Sequence, residues 1–265
     1  MSKIKISHET PLCLLKESLN FNNYQYCLPH LMDESEEYKQ HFLDCRDKGI
    51  EIYMDNSLHE LGTPYSEDRL FYWLQKLQPQ EFFIPDYWED KIKSIKSAKK
   101  WIEIQKQFPN ITFTAVVQGK NYGEIKDCYK NYKELGYKKI AFSYGASYYN
   151  EICPHPNKNL GKALGRVQVI NKLIEMDLIT KTDKIHLLGC AVPQEFGWYK
   201  DIPQIESIDT SNPVMATLHN LSYDCFGLSI KPKSCMNDNF HINKDDINMT
   251  LLEHNIRMFK EINGL

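Results

Sequence analysis

Acids and one carboxamide recur at matching places along the chain. Asp55 closes "GIEIYMD", Asp86 closes "EFFIPD", Gln118 stands near the end of "ITFTAVVQG", and Asp209 closes "IESID". Each follows a short run rich in Ile, Val, Phe or Tyr. Carboxylates brought together at one apolar mouth repel one another and lose hydration, so some hold their protons to higher pH. Arrangements of that kind mark functional sites. They suit glycosyl chemistry: one carboxylate attacks or shields an anomeric carbon, and another moves a proton. A carboxylate and a carboxamide beside a glycine, as in Asp86, Gln118 and Gly119, also match the flat edge of a purine. The competing reading is structural. An Asp after a strand is often the N-cap of the next helix, and Gly145 and Gly189 can serve tight turns. Without His or Cys ligands nearby, three carboxylates do not make a transition-metal site.

The elements that must carry these residues follow from the hydrophobic pattern. Runs of strand length begin with "YQYCLP" near Tyr24 and continue through "GIEIYMD", "EFFIPD", "ITFTAVVQG", "KKIAFSYG", "DKIHLLGC" and "IESID". "YDCFGLSI", near Phe226, is the last candidate. The runs do not alternate strictly, which is how strands buried on both faces read. The stretches between them predict helices. "SEDRLFYWLQKLQ" places Leu70, Trp73, Leu74 and Leu77 at helical spacing behind Ser66 as N-cap. "YGEIKDCYKNYKELG" places Ile125, Cys128, Tyr132 and Leu135 on one face, with Gly136 to end it. "ALGRVQVINKLIEMDLI" offers Leu164, Val167, Ile170, Ile174 and Met176.

Strand and helix alternating about every 30 residues imply βαβ units and a parallel sheet. Eight candidate strands in 265 residues fit an α/β fold of the (β/α)8 TIM-barrel type, whose usual size is about 250 residues. An open doubly wound sheet would want a Gly-rich nucleotide loop after an early strand. The sequence has none. No linker rich in Gly, Ser or Pro divides the chain, so one domain over residues 1–265 is expected. In such barrels the active site lies at the carboxyl ends of the strands. Those ends here are Asp55-Asn56-Ser57, Pro85-Asp86, Gln118-Gly119, Ser143-Tyr144-Gly145, Gly189-Cys190 and Asp209-Thr210-Ser211.

Composition narrows the class. Hydrophobic residues make up 42% and charged residues 25%, and the formal net charge is −3. No global basic field draws the protein to nucleic acid, so such binding needs a local basic patch. Two candidates are Lys91, Lys93, Lys96, Lys99 and Lys100 after the third run, and Lys231 with Lys233 late in the chain; a solvated helix face is the alternative for the first. The apolar runs are too short to span a bilayer and no secretory signal opens the chain, which points to a cytoplasmic protein without a membrane partner. The eight cysteines form no CxxC pair and read as reduced, small hydrophobes. Only Cys225, Cys235 and His241 lie close enough to suggest a metal, and their spacing matches no zinc pattern. No metal or other cofactor is expected.

Five stretches together resemble a known family, the tRNA-guanine transglycosylases and their DNA-acting relatives. They are "MDNSLHELG" (54–62), "VVQGK" (116–120), "FSYGAS" (142–147), "LLGCAVP" (187–193) and "IESIDTSNP" (205–213). In order and spacing they follow the family's D-S-G-G, V-Q-G, base-facing glycine, L-M-G-V-G-x-P and nucleophile motifs over most of the chain. The resemblance implies a (β/α)8 barrel that exchanges guanine for a 7-deazaguanine base. It assigns Asp209 as the nucleophile on the ribosyl C1′ and Asp55 as the acid/base. Asp86, Gln118 and Gly119 would grip the guanine edge, with Asn56 and Ser57 beside them. Gly145 would offer backbone to the base, and Leu188 and Gly189 would line the pocket floor. The chain departs from the family where the later glycines of D-S-G-G are missing, and His59 stands near the place of the base-stacking aromatic. The family's C-x-C-x2-C…H zinc site is also absent. Because that zinc subdomain helps to engage tRNA, its absence favours guanine in DNA as the substrate over tRNA. A homodimer is compatible with this reading. Three rivals keep the same barrel: a tRNA-guanine transglycosylase, an N-glycosidase of nucleosides or nucleic acid, and a catalytically inactive barrel used as a binding subunit.

Overall fold

A computed structural model describes the protein over residues 4–232 and 236–265. Eight strands run in chain order: β1 Lys5–Ser7, β2 Gln25–Cys27, β3 Ile52–Met54, β4 Glu81–Phe83, β5 Thr112–Val116, β6 Lys139–Ser143, β7 Lys184–Leu188 and β8 Ile205–Asp209. They form one sheet in the order β1-β8-β7-β6-β5-β4-β3-β2, alternating with helices. From β2 to β8 chain neighbours are sheet neighbours, and the first strand pairs in parallel with the last, Ser7 opposite Asp209. This is a nearly closed (β/α)8 barrel, as the periodicity predicts.

The strand expected near Phe226 does not form. Asp224 and Gly227 make only an isolated bridge, and Phe226 is 79% exposed. Asp224 turns its carboxylate back onto the Phe226 N–H, and Gly227 sits at φ 89°, so the chain bends instead of extending. The eighth strand is β1 (Lys5–Ser7), whose single apolar residue, Ile6, makes no apolar run.

By packing, the chain divides into two compact units. One comprises Tyr24–Phe142 with Asp183–Ile185, and the other Met1–Asn23, Ser143–Thr182 and His186–Leu265. In the first, Phe82, Trp101 and Phe113 pack as one aromatic group, with centroids 5.2 to 6.1 Å apart. The first residues of β4 and β6, Glu81 and Lys139, form a buried ion pair at 2.5 Å. Thr114 Oγ1 also donates to Glu81 at 2.6 Å. The pair stands at the amino ends of its strands, where barrels invest in stability rather than chemistry. The helix Glu67–Leu77 buries Leu70, Trp73, Leu74 and Leu77, as its spacing predicts. Ser66 takes the N-cap position without a side-chain bond to the helix. The helix Tyr122–Leu135 ends at Gly136 with φ 95°, the left-handed stop a glycine tolerates best.

In the second unit, Leu14, Val214, Met215, Leu252 and Ile256 belong to one apolar cluster, partly built by the helix Met249–Asn263. Asn248 caps that helix by accepting from the Leu251 N–H. The helix Lys158–Glu175 turns inward a face that shares Ile170 with the one expected but is otherwise rotated from it. Its buried residues include Ala163, Arg166, Val169, Ile170 and Leu173, while Met176 is 51% exposed. The reason is close packing against the short helix Tyr149–Ile152. Gly165 lies so near the Tyr149 backbone that a Cβ there would collide with it, and this fixes the inward face around the glycine.

Candidate active site

In the first unit the acids end β3 and β4. Asp55, directly after β3, is buried. It accepts from Tyr26 Oη at 2.9 Å and from the Ser57 N–H at 2.8 Å. Ser57 adopts φ 62°, the left-handed region, which costs a non-glycine residue about 1 kcal/mol. Its hydroxyl bonds His30 Nδ1 at 2.8 Å. Burial pushes the Asp55 carboxyl up, against the lowering effect of the Ser57 and Tyr26 hydrogen bonds.

Asp86 is the centre of a chain of amides across β3, β4 and β5. Asn56 Nδ2 donates to Asp86 Oδ1 at 2.7 Å and to the Ile84 carbonyl at 2.8 Å. Gln118 Nε2 donates to Asp86 Oδ2 at 2.6 Å, and Gln118 Oε1 accepts from the Glu89 N–H at 2.9 Å. Burial raises Asp86 from 3.8 to about 7, opposed by the Gln118 and Asn56 bonds and assisted by nearby Asp55. The helix-cap reading does not hold for Asp86 or Gln118. Asp90 caps the helix Lys91–Gln105 and Asn121 caps the helix Tyr122–Leu135, each through its own side chain. A Cβ on Gly119 would stand 2.8 Å from Glu124 Cβ, so this glycine lets the strand end approach the next helix. His59 is exposed in the short helix Leu58–Leu61, with its ring 6.4 Å from Trp88.

In the second unit Asp209 is the last residue of β8 and is 4% exposed. His186 Nε2 lies 2.8 Å from its Oδ1, and His186 Nδ1 lies 2.8 Å from Ser207 Oγ. Ser207 and Asp209 point the same way from β8 by the two-residue period of a strand, and His186 reaches both from β7. With Asp209 ionised, Nε2 carries the proton to the carboxylate and Nδ1 accepts from the Ser207 hydroxyl. Asp209 is thus oriented by an imidazole and caps no helix. Thr210 follows it, with Cys190 Sγ at 3.2 Å from its hydroxyl and the Asn212 N–H donating to it at 3.1 Å.

The β7 end is held by a buried cation. Arg166 is fully buried and donates to the Leu188 and Gly189 carbonyls at 3.0 and 2.8 Å. Glu195 offsets its charge, with Arg166 Nε 2.7 Å from Glu195 Oε1. Gly189 has φ 59°, and a Cβ there would run into the Tyr144 ring. The Tyr144 N–H in turn donates to the Leu188 carbonyl at 3.0 Å. Gly145 keeps its N–H 3.3 Å from Ser143 Oγ.

Several polar groups here carry no run or motif that would single them out in the sequence. Tyr26 and His186 sit inside apolar strand runs and hold Asp55 and Asp209. His8, just beyond β1, is buried with Nδ1 3.4 Å from the Thr210 carbonyl. Its Nε2 has no hydrogen-bond partner among the described residues. Burial, with Lys260 nearby, holds His8 down to about 3, so its ring is neutral. The lysine run after β4 is largely paired: Lys91 with Asp127, Lys93 with Asp90 and Lys100 with Glu67. Lys96 and Lys99 line an open groove of about 580 Å³ between the helices Lys91–Gln105 and Tyr122–Leu135. Cys225 is exposed, while Lys233 and Cys235 lie outside the described residues. Among the described residues no three His, Cys, Asp or Glu side chains gather as metal ligands. Nor is any helix long and apolar enough to cross a membrane.

The fold and these residues define a parallel barrel with buried acids at the carboxyl ends of three strands. In comparisons with known proteins, no family model and no curated protein matches the chain.

Proposed function

We propose that the protein is a base-exchange glycosyltransferase that replaces guanine in nucleic acid, DNA in preference to tRNA, with a 7-deazaguanine base. An Asp209 oxygen attacks the sugar C1′ as the C1′–N9 bond breaks. The bond's electron pair goes to N9 of guanine, which takes a proton from the Asp55 carboxyl. The entering base returns a proton to Asp55, its nitrogen attacks C1′, and the Asp209 ester breaks. Asp86 and Gln118 select the base by its hydrogen-bonding edge. Asn56 orients Asp86, and the Leu188–Gly189 backbone forms the pocket floor.

The observation that carries this reading is that the strand-end acids are buried, hydrogen-bonded and cap no helix. A carboxyl raised by burial, as Asp55 is, suits a group that must give and take a proton near neutral pH. A carboxylate held by an imidazole, as Asp209 is, suits a nucleophile that must keep one orientation. The preference for DNA follows the resemblance to the family's DNA-acting relatives. The test is incubation with radiolabelled guanine and either DNA or tRNA. Label is expected in DNA. Label in tRNA alone would change the substrate, and label in neither would refute the exchange.

A further inference from the structure

We propose that Lys162 and Lys231 form a subsite for a nucleotide phosphate group, which in nucleic acid is the phosphodiester beside the exchanged base. The proposal rests on the reading of the site as one that acts on nucleotides. Both ammonium groups gather on two consecutive residues after β6. Lys231 Nζ stands 3.5 Å from the centroid of the Tyr144 ring, and Lys162 Nζ donates to the Gly145 carbonyl at 3.2 Å. Neither lysine makes an ion pair with a carboxylate among the described residues. Of the two carboxylates that act on Lys231, Glu195 and Glu9, the buried one, Glu195, is already matched by Arg166.

Two half-buried cations without a counter-ion are costly, because each loses hydration and repels the other. Lys231 shows the strain: burial, with Lys162 adding to it, lowers it to about 8, although Cys190, Glu195 and Glu9 pull the other way. An anion placed between the two would relieve both terms. Each ammonium has three donors, of which Lys162 spends one on Gly145. The remaining donors suit the oxygens of a phosphate, which lysine binds as a point charge. The backbone geometry supports a fixed site. The Tyr144 ring under Lys231 is seated against Gly189, where no side chain fits, and the Tyr144 N–H is tied to Leu188. The sequence separates Lys162 from Lys231, so no charge run announces them.

The test titrates the whole protein with a fluorescent single-stranded DNA oligonucleotide, with guanosine monophosphate and with free guanine, across a sodium chloride series. For the oligonucleotide, the slope of log affinity against log salt should become shallower by about 0.7 for each lysine replaced. The variants are K162M, K231M and both together. Free guanine should bind them all as it binds the wild type. K231R, which keeps the charge, should keep the wild-type slope. K162M at its half-exposed position carries the same test if K231M does not fold. Lysine-dependent binding of the monophosphate but not of the oligonucleotide would keep the subsite and assign it to free nucleotides. Wild-type slopes and affinities in the double variant, or no binding of either phosphate ligand by the wild type, would overturn it. Lysine-dependent binding without base exchange would leave the subsite standing and remove the exchange reading. Exchange in variants whose oligonucleotide binding is unchanged would do the reverse.

Discussion

Replacing Asp86 with Asn should change how stability depends on pH. Asp86 is 3% exposed, and burial raises it from 3.8 to about 7. Below the lower value the carboxyl is protonated in both the folded and the unfolded chain. Between the two values the unfolded chain ionises while the folded chain keeps its proton. Unfolding then releases a proton, so stability falls as pH rises through this window. Above the upper value the folded chain carries the full cost of a buried carboxylate. The rise from 3.8 to about 7 corresponds to about 4 kcal/mol. Asp86→Asn abolishes that dependence. It also introduces a constant cost of about 1–3 kcal/mol, because an amide has one acceptor oxygen where Asn56 and Gln118 both donate. The two effects separate by shape: one varies with pH and the other does not. Urea denaturation followed by circular dichroism, at steps from pH 4 to pH 8, measures both. The stability of wild type relative to the variant should fall by up to about 4 kcal/mol over that range. Asp55 is present in both proteins, but its charge adds to the Asp86 shift, so part of the pH-dependent difference is their mutual repulsion. A difference that stays constant with pH would refute the desolvation argument and return Asp86 to an ordinary hydrated carboxylate.

Arg166→Met should destabilise the protein by about 3–5 kcal/mol, because Glu195 stays buried without its partner. Adding Glu195→Gln should recover part of the loss, and denaturant midpoints of the two variants decide the point. Gln118→Ala and Asp86→Ala should each weaken preference for guanine over adenine by about 1–3 kcal/mol. Competition between the two labelled bases measures it, with circular dichroism to show that the variants fold; unchanged selectivity in both would place the base elsewhere.

The barrel was legible because seven of its strands are apolar runs followed by amphipathic stretches. β1 was not, since its one apolar residue, Ile6, stands between Lys5 and Ser7 and makes no apolar run. The late candidate near Phe226 had strand composition, but its Asp224 turn and the positive φ of Gly227 outweighed it. The inward face of Lys158–Glu175 was placed only at Ile170: Gly161, Gly165 and Arg166 lie on it beside Ala163, Val169 and Leu173, and hydropathy does not count glycines or a buried arginine. At the strand ends, residue type and spacing located Asp55, Asp86, Gln118 and Asp209. They could not tell acids that cap helices from acids that do not, because Asp90 and Asn121 compete for that role only a few residues away. The partners His186, Tyr26 and Lys231 come from other strands and loops, and only the folded chain brings them to their acids and rings.

In the proposed exchange Asp209 forms a covalent bond to the sugar. The most direct measurement is to incubate the protein with guanine-containing DNA, denature it, and look for a protein–DNA adduct by gel and by peptide mass spectrometry. The account predicts an adduct mapping to Asp209, absent from folded Asp209→Asn, whose exchange should fall by several orders of magnitude. An adduct on another residue, or exchange by Asp209→Asn at the wild-type rate, would contradict it.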